Sequence, residues 1–450
     1  MAILLAREGG EARVLVGRRS ARSRFLGGFH AFPGGVYEPA DGDLDAEGEA
    51  TCLRRTAARE LREETGIVLD AGSFLPAGRR VTPPFTPLAF DTLMFAAFPP
   101  RALPTSAESG ELDDLAWERP ADLVRRWRAL EIRVAPPLLP MLHALAALGP
   151  EATADEIARG LAAANTFRDD EGPRIEFVPD VLMLPQRTRT LPPAATTNCY
   201  LVGAKEIVIV DPGSDEEIER TRLSRQLDRR AGEGARPVAI VLTHHHGDHV
   251  AGVPSLARAR GLPLWAHTET LARCGDAVSA ASGTRALVEG DMIPLAGGER
   301  LRVLHTPGHA VGHVALHEET RGSLFAGDLV SGVSTVLIDA APGALDAYLA
   351  SLARLRDLPA RTLFPAHGPP MIDPPRALQA VIDHRAAREA RILDALADGP
   401  RDVAAIVRRA YEDSPNADPS LAAQQALVHL ARLESSGRVR RAGGSWALVA

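Results

Sequence analysis

The sequence is short of lysine, cysteine and long apolar runs, and the shortage of the last two, with an acidic surplus, narrows what the chain can be. Lys205 is the single lysine, and 51 basic residues stand against 58 acidic ones, giving a formal net charge of -7. An acidic surplus disfavours sequence-independent binding to a polyanion, which relies on cations displacing counterions. Any nucleic-acid contact must therefore be local. The three cysteines, Cys52, Cys199 and Cys274, lie far apart without a C-x-x-C pair, which argues against a disulfide framework or a cysteine-zinc site and fits a reducing compartment. No run approaches the ~18 apolar residues of a membrane span, and Arg7 and Glu8 interrupt the apolar opening before it reaches signal-peptide length. A cytoplasmic protein without membrane contact is expected.

What remains is the composition of a folded, multidomain chain. Its 450 residues are 45% hydrophobic and 24% charged, against a soft prior of ~150 residues per domain. In the first half, residues 11–17 read as a strand and residues 51–67 as a helix stopped by Gly66. Proline pairs at 83–84, 99–100 and 136–137 punctuate the rest of this half, a last helical pattern covers 140–148, and 149–173 reads as a boundary. Beyond it, 200–202, 207–210 and 238–242 are short β-branched runs of the kind found in buried strands, with a charged helical stretch around 215–230 between them. That alternation predicts α/β layers. From about Pro374 the pattern turns helical. Leu421, Ala426, Leu427, Leu430 and Leu433 mark one helix face before a glycine-turned hairpin over 437–448.

The segment Thr243-His244-His245-His246-Gly247-Asp248-His249 follows directly on an apolar strand, so its polar side chains leave one strand end together. Imidazole and carboxylate suit zinc, or iron or manganese where oxygen ligands dominate, and two such ions can share one site. The segment resembles the metallo-β-lactamase superfamily. Later residues match further motifs of that superfamily in order: Asp211 in Val210-Asp211-Pro212-Gly213, His309 in Thr306-Pro307-Gly308-His309, Asp328 in Phe325-Ala326-Gly327-Asp328, and His367 in Pro365-Ala366-His367-Gly368. The resemblance implies that His244, His246 and His309 hold one metal, that Asp248, His249 and His367 hold the other, and that Asp328 bridges them. It makes Asp248 catalytic and Asp211 a supporting group. True β-lactamases commonly carry cysteine where this chain has Asp328, so antibiotic hydrolysis is not expected, and the interval from Asp328 to His367 is too short for the inserted domain of β-CASP nucleases. His313, four residues past His309, resembles the lactamase-β-like family that includes a single-strand endoribonuclease, and is a candidate substrate contact. His384-Arg385, Arg388 and the helical tail resemble the winged-helix module of that family, with Arg438, Arg440 and Arg441 as a candidate RNA grip.

In Arg59-Glu60-Leu61-Arg62-Glu63-Glu64-Thr65-Gly66 the three glutamates fall on one helix face. Crowded carboxylates call for a cation, and oxygen ligands suit magnesium or manganese bound to a diphosphate. The string resembles the second half of the Nudix box, and Phe32-Pro33-Gly34-Gly35 resembles the turn that opens it. Arg19-Ser20, Arg24 and Gly28 are similar in spacing to the coenzyme A signature of Nudix diphosphatases, which makes Arg24 a candidate substrate contact. The resemblance implies metal ligands Glu60, Glu63 and Glu64, catalytic roles for Glu63 and Glu64, and an orienting role for Arg59. Strict spacing would place Glu at 51 and Gly at 45, where the chain has Thr51 and Asp45. About ten extra residues lengthen the box, leaving Gly35 as the glycine and Glu47 or Glu49 as candidates for the missing acid.

The expected organisation is therefore multidomain, α/β and α+β: a Nudix α/β/α fold over 1–165, a metallo-β-lactamase αβ/βα sandwich over 175–375, and a winged-helix-like domain over 376–450. The leading expectation is a hydrolase with two zinc, manganese or iron ions that cleaves phosphodiesters of single-stranded RNA. Its Nudix domain would use magnesium or manganese on nucleoside- or coenzyme A-type diphosphates. The alternative is a thioesterase similar to glyoxalase II, with a Nudix domain that only binds or senses nucleotide.

Overall fold

The computed structural model describes residues 1–23, 26–83, 85, 89–107, 110–149, 151–166, 171–172 and 174–449. Arg24 lies outside the described residues. The chain divides into two compact units, one over Met1–Pro83 and Leu88–Leu182, the other chiefly Met183–Ala450.

In the first unit a mixed sheet runs His30–Ala31, Glu11–Arg19, Ala2–Glu8, Asp91–Ala97, Leu75–Val81 in spatial order, with Leu112–Glu118 also paired to Glu11–Arg19. Ala2–Glu8 pairs antiparallel with Glu11–Arg19 and parallel with Asp91–Ala97. The helix Glu49–Thr65 lies against this sheet because Ala57 and Leu61 recur near helical period and pack with Leu4, Leu15 and Phe95. It ends where expected, at Gly66, whose φ of 71° is left-handed and whose N–H caps the Arg62 carbonyl at 2.9 Å. The stretch read as a boundary holds a helix, Ala154–Asn165, opened by a Thr153/Glu156 capping box. Asn165 donates to the Ala77 and Leu161 carbonyls at 3.3 and 3.1 Å, which fastens that helix to the first unit.

The second unit stacks two sheets. One carries Thr284–Leu287, Leu264–His267, Arg236–Val241, Glu206–Val210 and Thr196–Val202 in spatial order, the other Met292–Pro294, Arg300–His305, Val314–Glu318, Ser323–Ser331 and Thr362–His367. Ile207, Val208, Ile209 and Val210 are all buried, as the unbroken β-branched run predicts. Between the sheets, the Tyr200 ring meets Phe325 and Phe364 edge-on at 5.2 and 5.5 Å. Its hydroxyl donates to the Pro365 carbonyl at 2.6 Å, and Asn198 donates to the carbonyls of Pro365 and Gly368 at 3.0 and 2.8 Å. These bonds fix the end of the strand that carries His367.

The tail consists of helices Pro374–Ala395, Val403–Ala410 and Pro419–Ser435 and a hairpin, Val439–Ala442 with Ser445–Leu448. Ile392, Ile406, Leu430, Leu433, Val439 and Trp446 form its own small core. Among the described residues, no helix is long and apolar enough to cross a membrane.

Candidate metal centres

Strand ends deliver the polar residues of the second unit. Asp211 follows Glu206–Val210 and the histidine run follows Arg236–Val241. These strands are parallel neighbours, so the two segments emerge side by side. Asp211 adopts a φ of 49°, rare for a residue with a side chain, and its carboxylate collects three donors. Thr243 N–H reaches Oδ1 at 2.8 Å, while the Thr243 hydroxyl and His249 Nδ1 reach Oδ2 at 2.6 and 2.9 Å. With its proton given to Asp211, Thr243 Oγ1 is left to accept from His244 Nδ1 at 3.0 Å. One carboxylate thus sets the tautomers of two histidines, turning both Nε2 atoms toward the site. The same device recurs with backbone acceptors: His309 Nδ1 donates to the Leu337 carbonyl at 2.6 Å and His367 Nδ1 to the Thr196 carbonyl at 2.9 Å. Gly213 permits the approach of the loop, since a Cβ there would lie 1.8 Å from the Asp248 carbonyl oxygen.

Two groups of ligand atoms result. His244, His246, His309 and Asp328 form one, and Asp248, His249 and His367 the other, with the atoms of each group within 4.8 Å of one another. In the first, His309 Nε2 lies 3.2 Å from His244 Nε2 and 2.9 Å from His246 Nδ1. Burial, the largest influence, holds all three imidazoles below their ordinary pKa, His246 at about 4. Neutral imidazoles with converging lone pairs repel one another and suit a cation. Asp328 spans both groups, with Oδ2 3.4 Å from His309 Nε2 and Oδ1 3.2 Å from His367 Nε2 and 3.5 Å from His249 Nε2. Burial works against charge here too, yet Asp328 and Asp211 raise the His249 pKa and Asp328 raises that of His367. Burial likewise opposes ionisation of Asp328, but His249 and His367 hold it well below the usual carboxylate range. His249 Nε2 and Asp328 Oδ1 are buried without a hydrogen-bond partner among the described residues. Such orphaned atoms are costly unless something coordinates them. The donor set fits a pair of divalent ions. His246 and Asp248 are half-buried while His244, His249, His309 and His367 are buried, so the first two mark the open side.

His313 has a different place from the expected substrate contact. It is fully buried, its Nδ1 within 2.8 Å of Thr306 Oγ1 and its Nε2 accepting from the Asp328 backbone N–H at 3.2 Å. It braces the strand that carries Asp328. The expected arginine grip also meets an unforeseen arrangement: Arg432 and Arg438 pair with Glu389 at 2.6 and 3.3 Å, Arg388 with Asp413 at 2.9 Å, and Arg409 with Asp398 at 2.7 Å. Arg441 lies over the Trp446 ring at 4.9 Å. Arg440, the third arginine of the hairpin, stands opposite Ala447 in the backbone register and is exposed. Arg385 and Arg388 are buried rather than presented to a ligand.

In the first unit the two glycines of Phe32-Pro33-Gly34-Gly35 close on the glutamate helix. Gly34 N–H donates to Glu64 Oε2 at 2.7 Å, and a Cβ on Gly35 would collide with the Glu60 carboxylate at 2.3 Å. Glu64 is 2% exposed, and burial lifts its pKa to about 7, with Gly34 N–H opposing and Glu60 and Glu111 adding to the rise. Glu63 is largely exposed and accepts from Arg59 at 3.1 Å. Unlike those of the second unit, these glutamates do not bring three ligand atoms within 4.8 Å of one another. Of the candidates for the missing acid of the box, Glu47 pairs with Arg55 at 2.7 Å and Glu49 with Arg79 at 3.2 Å, and neither is paired with Arg59. Asp41 is the acid that meets Arg59: Nε and Nη2 reach its two oxygens at 2.9 and 3.1 Å, and the Thr56 hydroxyl adds 2.9 Å. A signal existed, because the step from Gly35 to Asp41 equals the strict step from 45 to 51.

Against known proteins, the model of the Metallo-beta-lactamase superfamily matches residues 193–367. The chain is 30% identical over 255 residues, 54% of this chain and 84% of the relative, to Beta-lactamase-like protein 2 homolog of Drosophila melanogaster. It belongs to the metallo-beta-lactamase superfamily. The chain is also 29% identical over 238 residues to the Atrochrysone carboxyl ACP thioesterase of Aspergillus chevalieri, a match that spans 51% of this chain and 72% of the relative. A beta-lactamase domain protein from Burkholderia ambifaria superposes with a TM-score of 0.55 at 25% identity, covering 62% of this chain and 94% of that one. The NUDIX domain model matches residues 1–141, and the model of the Beta-lactamase associated winged helix domain matches 403–446. This member of the superfamily is thus a multidomain α/β hydrolase with Nudix, metallo-beta-lactamase and winged-helix domains in that order.

The network around Asp211 gives a first prediction for the metallo-beta-lactamase domain. Asp211→Ala leaves every expected ligand in place but releases His249 and Thr243. Partners of this kind typically contribute ~10–100-fold to metal affinity. Competition against a chromophoric chelator should show that loss, and an unchanged affinity would refute the supporting role.

Proposed function

We propose that the metallo-beta-lactamase domain is a dinuclear hydrolase of thioesters. His244, His246 and His309 would hold one ion and Asp248, His249 and His367 the other, with Asp328 placed to serve both. The observation that carries the substrate class is the acidic balance of the chain, a net charge of -7, together with the engagement of Arg388, Arg409, Arg432 and Arg438 by Asp413, Asp398 and Glu389, which disfavours a polyanion. The similarity to a protein named as an acyl-carrier-protein thioesterase points the same way.

When bound, ions at these residues supply Lewis-acid polarisation and a lowered pKa for water. The chain's own residues do the rest. His246 and Asp248, on the open side, face the entering carbonyl. Asp248 Oδ2, steadied by the Thr197 hydroxyl at 3.3 Å and 3.5 Å from His367 Nε2, faces the position of the ion, which leaves Oδ1 to accept a proton from the attacking water. Water adds to the carbonyl carbon, the C–S bond breaks, and the leaving sulfur takes the proton, giving a carboxylate, a thiol and one released proton.

RNA cleavage is the second reading, supported by the winged-helix match over 403–446. One experiment separates the two: manganese- or zinc-loaded protein and its Asp248→Ala variant are given an acyl-coenzyme A and a labelled single-stranded RNA. Thiol release by the wild type alone, with intact RNA, is the expected result. RNA cleavage without thiol release would replace the thioester reading with the nuclease one. For the Nudix domain we propose metal-dependent hydrolysis of a nucleoside- or coenzyme A-type diphosphate, with Glu60, Glu63 and Glu64 as magnesium or manganese ligands and Arg59 as their orienting partner.

A further inference from the structure

The loop that carries His309 is held from outside the sandwich. The His309 Nδ1 acceptor, the Leu337 carbonyl, belongs to a segment with no regular structure, which cannot fix its own position. Its neighbours are fastened one by one. Ile338 N–H donates to Gln425 Oε1 at 3.0 Å, and Gln425 Nε2 donates back to the Ile338 carbonyl at 3.1 Å. Arg385, 4% exposed, donates to the Val336 carbonyl and lies over the Tyr348 ring at 5.4 Å. Asp339 N–H returns to the Gly308 carbonyl at 3.1 Å. Gln425 is 8% exposed and sits on the helix Pro419–Ser435, inside the stretch matched by the winged-helix model.

A buried primary amide with both its oxygen and its nitrogen satisfied by one residue's backbone holds that residue in a single pose. The tail helix thereby fixes Ile338, the adjoining Leu337 carbonyl, and through it the tautomer and tilt of His309. We propose that Gln425 is a positioning residue for the metal centre, through which the winged-helix domain sets the affinity of the group formed by His244, His246 and His309. This inference rests on His309 being a metal ligand.

The test is titration of the metal-free full-length chain with cobalt(II), following ligand-field absorption, for wild type, Gln425→Met, Gln425→Glu and His309→Ala. Loss of a direct partner to a ligand histidine costs ~10–100-fold in affinity, and Gln425 acts one residue further out, so Gln425→Met should weaken binding at the lower end, about 10-fold, with an altered absorption band. Gln425→Glu keeps the acceptor for Ile338 N–H and should recover part of the loss. A folded Gln425→Met variant with wild-type affinity and spectrum overturns the proposal. His309→Ala separates this from failure of the underlying reading: if that variant also binds as wild type does, His309 is no ligand. A second measurement needs no variant. Coupling is reciprocal, so cobalt loading of the wild type should slow amide exchange at Ile338 and along Pro419–Ser435. Slowing confined to the histidine run would count against the proposal as firmly as an indifferent Gln425→Met.

Discussion

Asp328→Ala should abolish hydrolysis in the second unit and empty both metal positions together. The Asp328 carboxylate belongs to the first ligand group and also reaches the second, approaching His309 with one oxygen and His249 and His367 with the other. Removing it subtracts a negative charge from a buried site where burial already depresses the imidazole pKa of His244 and His309. The expected fall in turnover exceeds the ~100-fold associated with loss of an outer partner. Metal content per chain, measured by elemental analysis after gel filtration, should drop to near zero. A variant that keeps one full equivalent would show that Asp328 serves a single position and does not bridge.

The second large effect is expected in the first unit. Glu64→Gln preserves size and the acceptor for Gly34 N–H while removing the charge, so the fold should persist and the metal-dependent step should not. Glu64 is buried, and its pKa is lifted to about 7. A carboxylate kept from water in this way gains from a cation beside it. Turnover of a coenzyme A-type diphosphate with magnesium or manganese should fall more than ~100-fold, the effect of removing a ligand rather than its support. Nucleotide binding with no turnover in the wild type would instead support a sensing module.

How much of the fold and the site is legible in the sequence depends on the range of the contact. His244, His246, Asp248 and His249 can be read because one strand end delivers them together and their spacing is local. The strands at 207–210 and 238–242 can be read because burial on both faces leaves an unbroken apolar run. Asp41 escapes notice although its register with Gly35 is available, because the lengthened box hides the matching step behind a shift in numbering. The Thr196 carbonyl behind His367 and Gln425 behind Leu337 leave no trace in composition or period. A backbone carbonyl carries no residue signature, and a glutamine on an apolar helix face looks the same whether it bonds a remote loop or water. His313 is misplaced for a related reason: proximity in sequence to His309 suggests the substrate side, whereas the chain turns back between them and buries the ring beneath Asp328.

The arrangement around Asp211 bears on the shape of a loading curve. Its carboxylate orders His244 through Thr243 and His249 directly, and these two histidines belong to different ligand groups. An ion that draws one imidazole into line also fixes the aspartate from which the other hangs. The second equivalent then meets a partner already ordered, so singly loaded protein should be scarce and the occupancy isotherm steeper than that of two independent sites.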